Sequence, residues 1–319
     1  MVWLEFAFAS VLVISFGYFL TAKAEMLAEA RNLGKGLVGF ILLGFSTSVP
    51  ELVSTLSATV LLDNPLLGSG NIIGSNNANL FILFASLILA ESLRKKDDLP
   101  DEESLISVSF CFLVTIFFTA AVYFSGTPFI YGKSVYSYLL LALFFISIFE
   151  LHKASAANIE KKEKTPLSAG FYASLILLLV VLVGASYYLS VVVDKISRVT
   201  QFGATASGAL FLAWSTSLPE LAVTVSSIII GSSEMGIGNI LGSNIFNMFV
   251  LALSELFSRS RISVFTEDSS LVVFALMQFV MLSLLMLALV QRKMVRVWKI
   301  AFIPAISILF YIAGMIYAI

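Results

Sequence analysis

A hexapeptide with a proline–glutamate pair occurs twice in this chain, and this duplication constrains the fold more than any other feature. The two copies are STSVPE at Ser46–Glu51 and STSLPE at Ser215–Glu220. Each is followed by a second shared element, GNIIGSN at Gly70–Asn76 and GNILGSN at Gly238–Asn244. The glutamates lie 169 positions apart (220 − 51) and the second elements 168 apart (238 − 70). In a chain of 319 residues, this spacing indicates a duplicated half.

The composition indicates an integral membrane protein. Hydrophobic residues make up 59% of the chain and charged residues 12%, whereas soluble domains carry about 25% charged residues. The 19 basic and 20 acidic residues nearly balance, so nothing favours nucleic-acid binding. The single cysteine, Cys111, excludes an intrachain disulfide.

Apolar runs of about 20 residues predict ten transmembrane helices. We predict an all-α membrane protein, with residues 1–151 as a first five-helix repeat, 152–166 as a cytoplasmic linker and 167–319 as a second repeat. An odd number of spans per half inverts the second copy relative to the first, which is a recurring plan of secondary transporters. The predicted spans are 2–21, 36–61, 71–92, 104–124, 134–151, 167–193, 203–230, 237–257, 269–290 and 300–318.

The Lys and Arg residues of the predicted loops indicate the orientation. Alternate loops, beginning with the one after the first span, hold 14 of them, and the remaining loops hold 5. Because basic residues concentrate in cytoplasmic loops, the first set is predicted to be cytoplasmic, with both termini outside.

Glu51 and Glu220 fall near the middle of their predicted spans. A charged side chain there costs about 2.5–3.5 kcal/mol on insertion scales. No Lys or Arg falls at a comparable depth, so an internal salt bridge is not expected. A bound cation is the most economical compensation for two such carboxylates.

The proline before each glutamate predicts a break in the helix. Pro50 and Pro219 cannot donate a backbone hydrogen bond and clash with the preceding turn. Ca²⁺ takes about 6–8 oxygen ligands. Two glutamates supply four of them, and the freed carbonyls of Thr47 and Thr216 supply two more.

The remaining polar groups of the two elements are neutral and suit a smaller charge. Hydroxyl and amide oxygens suitable for Na⁺ come from Ser48, Ser217, Ser75, Ser243, Asn79 and Asn247. The spacing Ser-x-x-Glu also fits a capping box that starts a new half-helix. Asn71, Asn239, Asn76 and Asn244 have a second interpretation as well, as hydrogen bonds between helices.

Taken together, STSxPE and GNxxGSNxxN resemble the α-repeats of the Na⁺/Ca²⁺ exchanger branch of the cation/Ca²⁺ exchanger superfamily, and the ten-span layout resembles its prokaryotic members. The repeat motifs span residues 44–79 and 213–247. The resemblance implies alternating access, with Glu51 and Glu220 as shared Ca²⁺ and Na⁺ ligands and Thr47 and Thr216 contributing backbone carbonyls. It implies that Na⁺ is bound by the four serines, and by the carbonyls of Gly44 and Ala213.

Three departures from the family pattern bear on the ion sites. Ser46 and Ser215 stand where relatives usually have glycine. Asn247 stands where many relatives have aspartate, which removes a titratable group. The first repeat also has one more residue between its glutamate and Ser75 than the second has before Ser243.

The sequence therefore predicts a Na⁺/Ca²⁺ antiporter of a prokaryotic cell membrane, with a H⁺/Ca²⁺ antiporter as the alternative. An intramembrane aspartyl protease would need Gly-x-Gly-Asp, and the nearest match, at 236–239, ends in Asn239. We expect no enzymatic activity and no cofactor. The expected partners are the lipid bilayer and the transported ions Ca²⁺ and Na⁺, and the sequence identifies no protein partner.

Overall fold

The computed structural model describes residues 2–61, 63–92, 102–124, 129–158, 165–200, 217–258, 263–265, 269–290 and 305–312. These residues are almost entirely helical. The helices are α1 Val2–Arg31, α2 Lys35–Thr47, α3 Val49–Leu61, α4 Pro65–Ser92, α5 Glu102–Tyr123, α6 Val135–Asn158, α7 Ala169–Thr200, α8 Leu218–Ile230, α9 Ser233–Phe257, α10 Ser269–Val290 and α11 at 305–312.

Seven of the helices in the described part of the chain are long and apolar enough to cross a membrane, and α2 with α3 forms an eighth, bent span. This confirms an all-α membrane protein. The predicted ten spans are not all resolved, because α8 and α11 are short and residues 201–216 lie outside the described ranges. The bounds also differ from the prediction, since α1 continues to Arg31 rather than ending at residue 21.

The predicted helix break lies at the first hexapeptide. α2 ends at Thr47, α3 begins at Val49, and the two are bent by 44°. Ser48 between them has φ −90° and ψ 7°, outside the helical range. Pro50 follows within the first turn of α3, where its missing N–H removes a donor that the preceding turn needs. The break in this span is therefore confirmed.

The second hexapeptide has the same local backbone. Ser217 has φ −86° and ψ 7° directly before α8, and Pro219 occupies the first turn of that helix. Residues 201–216, directly before Ser217, lie outside the described part of the chain. The equivalence of Ser48 and Ser217 nevertheless shows that both copies start a helix in the same way.

α4 and α9 are the central helices of the bundle. In their most apolar stretches 67% and 78% of the residues are buried, against 17–44% in the five other long spans. These helices carry the two GNxxGSN elements. The site therefore lies at the centre of the protein, away from lipid.

Glycines bring α2 against α9 at backbone distance. A Cβ on Gly238 would overlap the carbonyl oxygen of Gly36, and one on Gly242 would overlap that of Phe40. Small residues allow this kind of close helix contact in membranes. The contact places the end of α2 beside the polar face of α9.

A short hairpin interrupts the all-α pattern between α5 and α6. Strand β1, Phe129–Ile130, pairs antiparallel with β2, Lys133–Ser134. Tyr131 and Gly132 between them have φ of 51° and 75°. Two consecutive residues with positive φ form the tight turn that suits a two-residue hairpin.

α1 and α7 pack along one another and are tied at both ends. Lys195 forms an ion pair with Glu5 at 3.0 Å, and Arg31 donates to the hydroxyl of Tyr172. An apolar cluster lies between these ends and includes Val13, Leu20, Leu182 and Leu189. A second, larger cluster joins α4, α5, α6, α9 and α10.

Candidate cation-binding site

Ten of the twelve predicted site residues lie in the described part of the chain, and all ten are buried. They come from five segments: the end of α2, the start of α3, the start of α8, and the middle of α4 and of α9. The ten are Gly44, Thr47, Ser48, Glu51, Ser75, Asn79, Ser217, Glu220, Ser243 and Asn247. Ala213 and Thr216 lie outside the described residues and stay predictions.

The two glutamates are almost fully removed from solvent, with Glu51 1% exposed and Glu220 0%. Their carboxylates interact electrostatically with each other. No Lys or Arg of the described ranges forms an ion pair with either. Two interacting, buried negative charges require compensation, which the described side chains do not supply.

Each carboxylate uses only one oxygen in hydrogen bonding to a side-chain hydroxyl. Ser75 Oγ donates to Glu51 Oε1 at 3.1 Å, and Ser48 Oγ donates to Glu220 Oε1 at 3.3 Å. The Oε2 atoms of both glutamates are buried with no hydrogen-bond partner in the described structure. An acceptor that is buried and unpaired costs free energy, unless a ligand satisfies it.

The capping-box interpretation of the two serines is wrong for the side chains. Neither Ser48 nor Ser217 makes a side-chain cap hydrogen bond to its own helix. The Ser48 hydroxyl instead crosses to Glu220 in the other half. The Ser217 hydroxyl is buried and has no partner among the described residues. Both hydroxyls are thus available for a role other than capping.

Gly44 and Thr47, at the end of α2, meet α9. Ser243 Oγ donates to the Gly44 carbonyl oxygen at 3.2 Å and lies 3.1 Å from Thr47 Oγ1. Thr47 Oγ1 also lies 3.4 Å from Asn239 Oδ1, within hydrogen-bond distance. Asn239 Nδ2 in turn donates to the Glu220 carbonyl oxygen at 3.4 Å. These contacts join the first broken span to the second glutamate through α9.

Asn79 and Asn247 lie where α4 faces α9. Asn79 Nδ2 donates to Asn244 Oδ1 at 3.0 Å, and Asn247 Nδ2 donates to Asn76 Oδ1 at 2.9 Å. Asn247 Nδ2 also lies 3.5 Å from Ser75 Oγ, which connects this group to Glu51. The Oδ1 atoms of Asn79 and Asn247 are buried without a partner in the described structure.

Two threonines that support the site were missed by the sequence analysis. Asn71 Nδ2 donates to Thr55 Oγ1, and Asn239 Nδ2 donates to Thr224 Oγ1, each at 3.0 Å. The two threonines are separated by 169 positions, which is also the spacing of the glutamates. That shared offset could have identified them. The interpretation of these asparagines as links between helices is confirmed for both.

The free polar atoms of the site are almost all hydrogen-bond acceptors. They comprise two carboxylate oxygens, two amide oxygens and one hydroxyl. No cluster of three or more His, Cys, Asp or Glu side chains occurs in the described ranges, so neutral oxygens complete the set. Oxygen ligands with a total charge of −2 suit hard cations such as Ca²⁺ and Na⁺.

A family model described as sodium/calcium exchanger protein matches residues 1–151 and 170–319. The chain belongs to this family. Together the two matched ranges cover nearly the whole sequence, and each contains one copy of the hexapeptide and the element that follows it. The family and the fold are those of transporters rather than enzymes.

Two archaeal relatives cover most of the chain. The sodium/calcium exchanger MaX1 of Methanosarcina acetivorans is 24% identical over 308 residues, which is 83% of this chain and 86% of the relative. An uncharacterized membrane protein of Methanocaldococcus jannaschii is 28% identical over 266 residues, 77% of this chain and 83% of the relative.

The fold of this family member also matches a solved structure of the sodium–calcium exchanger NCX_Mj. The TM-score is 0.76 at 22% sequence identity, and the match covers 99% of each chain. The predicted resemblance to prokaryotic members of the superfamily is therefore confirmed. The protein is an integral membrane protein and a cation/Ca²⁺ exchanger.

Proposed function

We propose that this protein is a secondary active antiporter that exchanges Na⁺ for Ca²⁺ by alternating access, and that Ca²⁺ extrusion is electrogenic. The observation that carries the proposal is the pair of buried, unneutralised carboxylates, Glu51 and Glu220, each with one oxygen free. Both ions are hard cations that these oxygens can bind in alternation.

The charge of the site supports electrogenic exchange. Two carboxylates balance one Ca²⁺ or two Na⁺. A third Na⁺ would bind at neutral oxygens, and Ser217, Asn79 and Asn247 each have one that is buried and without a hydrogen-bond donor in the described part of the chain. Exchange of three Na⁺ for one Ca²⁺ moves one net charge per cycle.

The proposed architecture has ten helices in two inverted repeats, with residues 152–166 as the cytoplasmic linker. The two ranges matched by the family model support this division. Both termini are proposed to face outward, in a prokaryotic cell membrane, because Lys and Arg concentrate in alternate loops. Labelling of single cysteines, placed near each end in a Cys111→Ala background, tests this orientation in intact cells.

Transport in proteoliposomes tests the function directly. Purified protein is reconstituted in vesicles loaded with Na⁺, pH is set equal on both sides, and ⁴⁵Ca²⁺ uptake is followed. We expect uptake to require internal Na⁺ and to vanish in Glu51→Gln and in Glu220→Gln. Glu255→Gln is the matched control, because Glu255 is also buried (3% exposed) but accepts hydrogen bonds from Ser263 and Val264 at the end of α9.

Two further arms of this experiment separate the alternatives. Uptake that needs an imposed pH gradient and ignores Na⁺ would identify a H⁺/Ca²⁺ antiporter instead. A membrane potential clamped with valinomycin and K⁺ tests the charge movement, because Ca²⁺ uptake in exchange for three internal Na⁺ carries one net positive charge outward and accelerates when the vesicle interior is made positive. Uptake that is indifferent to potential would contradict the proposed stoichiometry.

A further inference from the structure

Four asparagines form one hydrogen-bonded group where α4 crosses α9, with Asn76 and Asn244 at its centre and Asn247 and Asn79 at its ends, and we call these four residues the asparagine ring. Asn76 Nδ2 donates to the Asn244 carbonyl oxygen at 3.3 Å, and Asn244 Nδ2 donates to the Asn76 carbonyl oxygen at 3.1 Å. The side-chain oxygens of the same two residues accept from Asn247 and Asn79. All four side chains are 0% exposed.

The backbone fixes the orientation of every amide in the ring. A carbonyl oxygen can only accept, so Asn244 must turn its Nδ2 toward the carbonyl of Asn76 and its Oδ1 away. That Oδ1 faces Asn79, so Asn79 must present its Nδ2 there. The same argument holds for the other pair. Asn76 must turn its Nδ2 toward the carbonyl of Asn244, so its Oδ1 faces Asn247, which must present its Nδ2 there.

The orientation leaves one acceptor free on each outer member of the ring. With their Nδ2 atoms held, Asn79 and Asn247 keep their Oδ1 atoms buried and without a donor in the described structure. If either amide were reversed, its NH₂ group would occupy that position and repel a cation. The direction of the amide therefore decides whether the residue can act as a ligand.

We infer that Asn76 and Asn244 are positioning residues that hold the oxygens of Asn247 and Asn79 ready for Na⁺. This inference rests on the proposed function, since it assigns a role in the binding of one of the two exchanged ions. Asn76 and Asn244 act through their ring partners, and their own oxygens are occupied by hydrogen bonds. Ca²⁺ depends more on the carboxylates of Glu51 and Glu220, which lie outside the ring.

Asn244→Ala tests the inference. The change removes the acceptor that holds Asn79, so the Asn79 amide is free to reverse. We expect the Na⁺ concentration for half-maximal Ca²⁺ uptake to rise about 10-fold, an effect typical of partners that orient metal ligands. The KM for Ca²⁺ should change by less than about threefold, because the glutamates keep their own partners.

Asn77→Ala is the matched control. Asn77 is also 0% exposed on α4 and donates from Nδ2 to two backbone carbonyls, of Ile73 and Phe274, but it lies outside the ring. A general loss of packing would affect this variant as much as Asn244→Ala. The inference requires that its Na⁺ dependence stays close to that of the wild type.

The Na⁺ dependence of Asn79→Asp distinguishes the orientation of a ligand from a purely structural role. In the wild-type ring the aspartate places an oxygen against Asn244 Oδ1, so Na⁺ dependence should worsen. In the Asn244→Ala background that repulsion is gone, and aspartate presents an oxygen in either orientation. The double variant should therefore bind Na⁺ better than Asn244→Ala alone.

The outcomes distinguish a failure of the proposed function from a failure of the inference about Asn76 and Asn244. Wild-type uptake without any Na⁺ requirement would overturn the proposed function, and the inference with it. Normal exchange by the wild type, with Asn244→Ala matching Asn77→Ala in Na⁺ dependence, would overturn the inference alone. Should Asn244→Ala fail to fold, Asn76→Ala, which frees Asn247 in the same way, carries the same comparison against Asn77→Ala.

Discussion

Ser48, at the break of the first span, donates its hydroxyl hydrogen bond to Glu220, at the break of the second. The Oγ–Oε1 distance is 3.3 Å, across 172 positions of sequence. Ser48 is also three residues before Glu51, so one turn of chain carries the first glutamate and a donor to the second. The two carboxylates are thus held in one site by direct contact between the halves.

Removing this hydroxyl should cost stability as well as ion binding. We predict that Ser48→Ala lowers the free energy of unfolding in Ca²⁺-free, Na⁺-free detergent by about 1.5–3 kcal/mol, as is usual for a hydrogen bond to a charged group. Ser217→Ala is the control, because the Ser217 hydroxyl has no hydrogen-bond partner in the described part of the chain. Equal losses in thermal or denaturant unfolding would contradict the importance of the Ser48–Glu220 bond.

Restoring the backbone donor at the break should impair transport more than folding. Pro50→Ala returns an N–H group to the turn after Ser48 and lets α2 and α3 straighten toward one helix. We predict a loss of about 10-fold or more in the Na⁺-dependent uptake rate, since a misplacement of about 1 Å costs on the order of 100-fold in well-positioned sites.

The control for Pro50→Ala is Pro65→Ala. Pro65 begins α4, where a missing N–H would in any case lie outside the helical hydrogen bonds. Its replacement should leave uptake close to that of the wild type. Equal activity in the two variants would show that the bend of 44° does not matter for transport.

The contact between α2 and α9 should not tolerate a methyl group. In Gly242→Ala the new Cβ meets the backbone of Phe40 rather than a movable side chain, so one helix must shift. We predict a destabilisation of about 1–3 kcal/mol or more, in the range of overpacked cores, together with loss of uptake.

Gly184→Ala provides the comparison for that experiment. Gly184 lies on α7 with an exposed surface, and a Cβ there meets no described atom within 4 Å. Replacing glycine in a helix without steric conflict stabilises by roughly 0.5–1 kcal/mol. If Gly242→Ala behaved like Gly184→Ala in thermal unfolding, the backbone contact would be looser than the structure shows.

Glu103 should contribute to folding through its acceptor oxygen rather than through ion binding. This side chain is 2% exposed, and its Oε2 accepts from the backbone N–H of Leu37 in the first turn of α2 at 2.8 Å. Glu103→Ala leaves that N–H unsatisfied, so we predict a loss of about 1–3 kcal/mol.

Glu103→Gln keeps an oxygen at the same place and should lose less. Both variants should retain the wild-type dependence of uptake on Na⁺, after correction for the amount of folded protein. A Gln variant as unstable as the Ala variant would indicate that the charge at the start of the helix, rather than the hydrogen bond, is what stabilises α2.

The sequence predicted those features that a local pattern determines. Pro50 determines the break, because a missing N–H acts on its own turn. Glycines of both GNxxGSN elements were expected to let their helices approach the broken helices closely. This expectation is confirmed for Gly238 and Gly242, whereas it is wrong for Gly70 and Gly74, where a Cβ would meet no described atom within 4 Å. The burial of the two glutamates followed from their place within apolar runs.

Features that depend on distant partners or on segments beyond the apolar runs were not predicted. The end of α1 lies ten residues past the predicted span, because Lys23, Glu25 and Glu29 continue the helix outside the apolar stretch. Ser48 fits a capping pattern locally, yet its partner lies in the other half of the chain. The roles of Thr216 and Ala213 stay predictions.

The reciprocal hydrogen bonds between Asn76 and Asn244 constrain how the sequences of the two halves can evolve. The side-chain amide of each residue donates to the backbone carbonyl oxygen of the other, as in the self-complementary contact of a symmetric dimer. A substitution at Asn76 or Asn244 removes the bond that its side chain donates to the other half and the bond that its Oδ1 accepts from Asn247 or Asn79 in the other half, and no change within the same half can replace both. The two copies of the motif are therefore unable to diverge independently at this point, although they belong to one gene product and occupy different places in the fold.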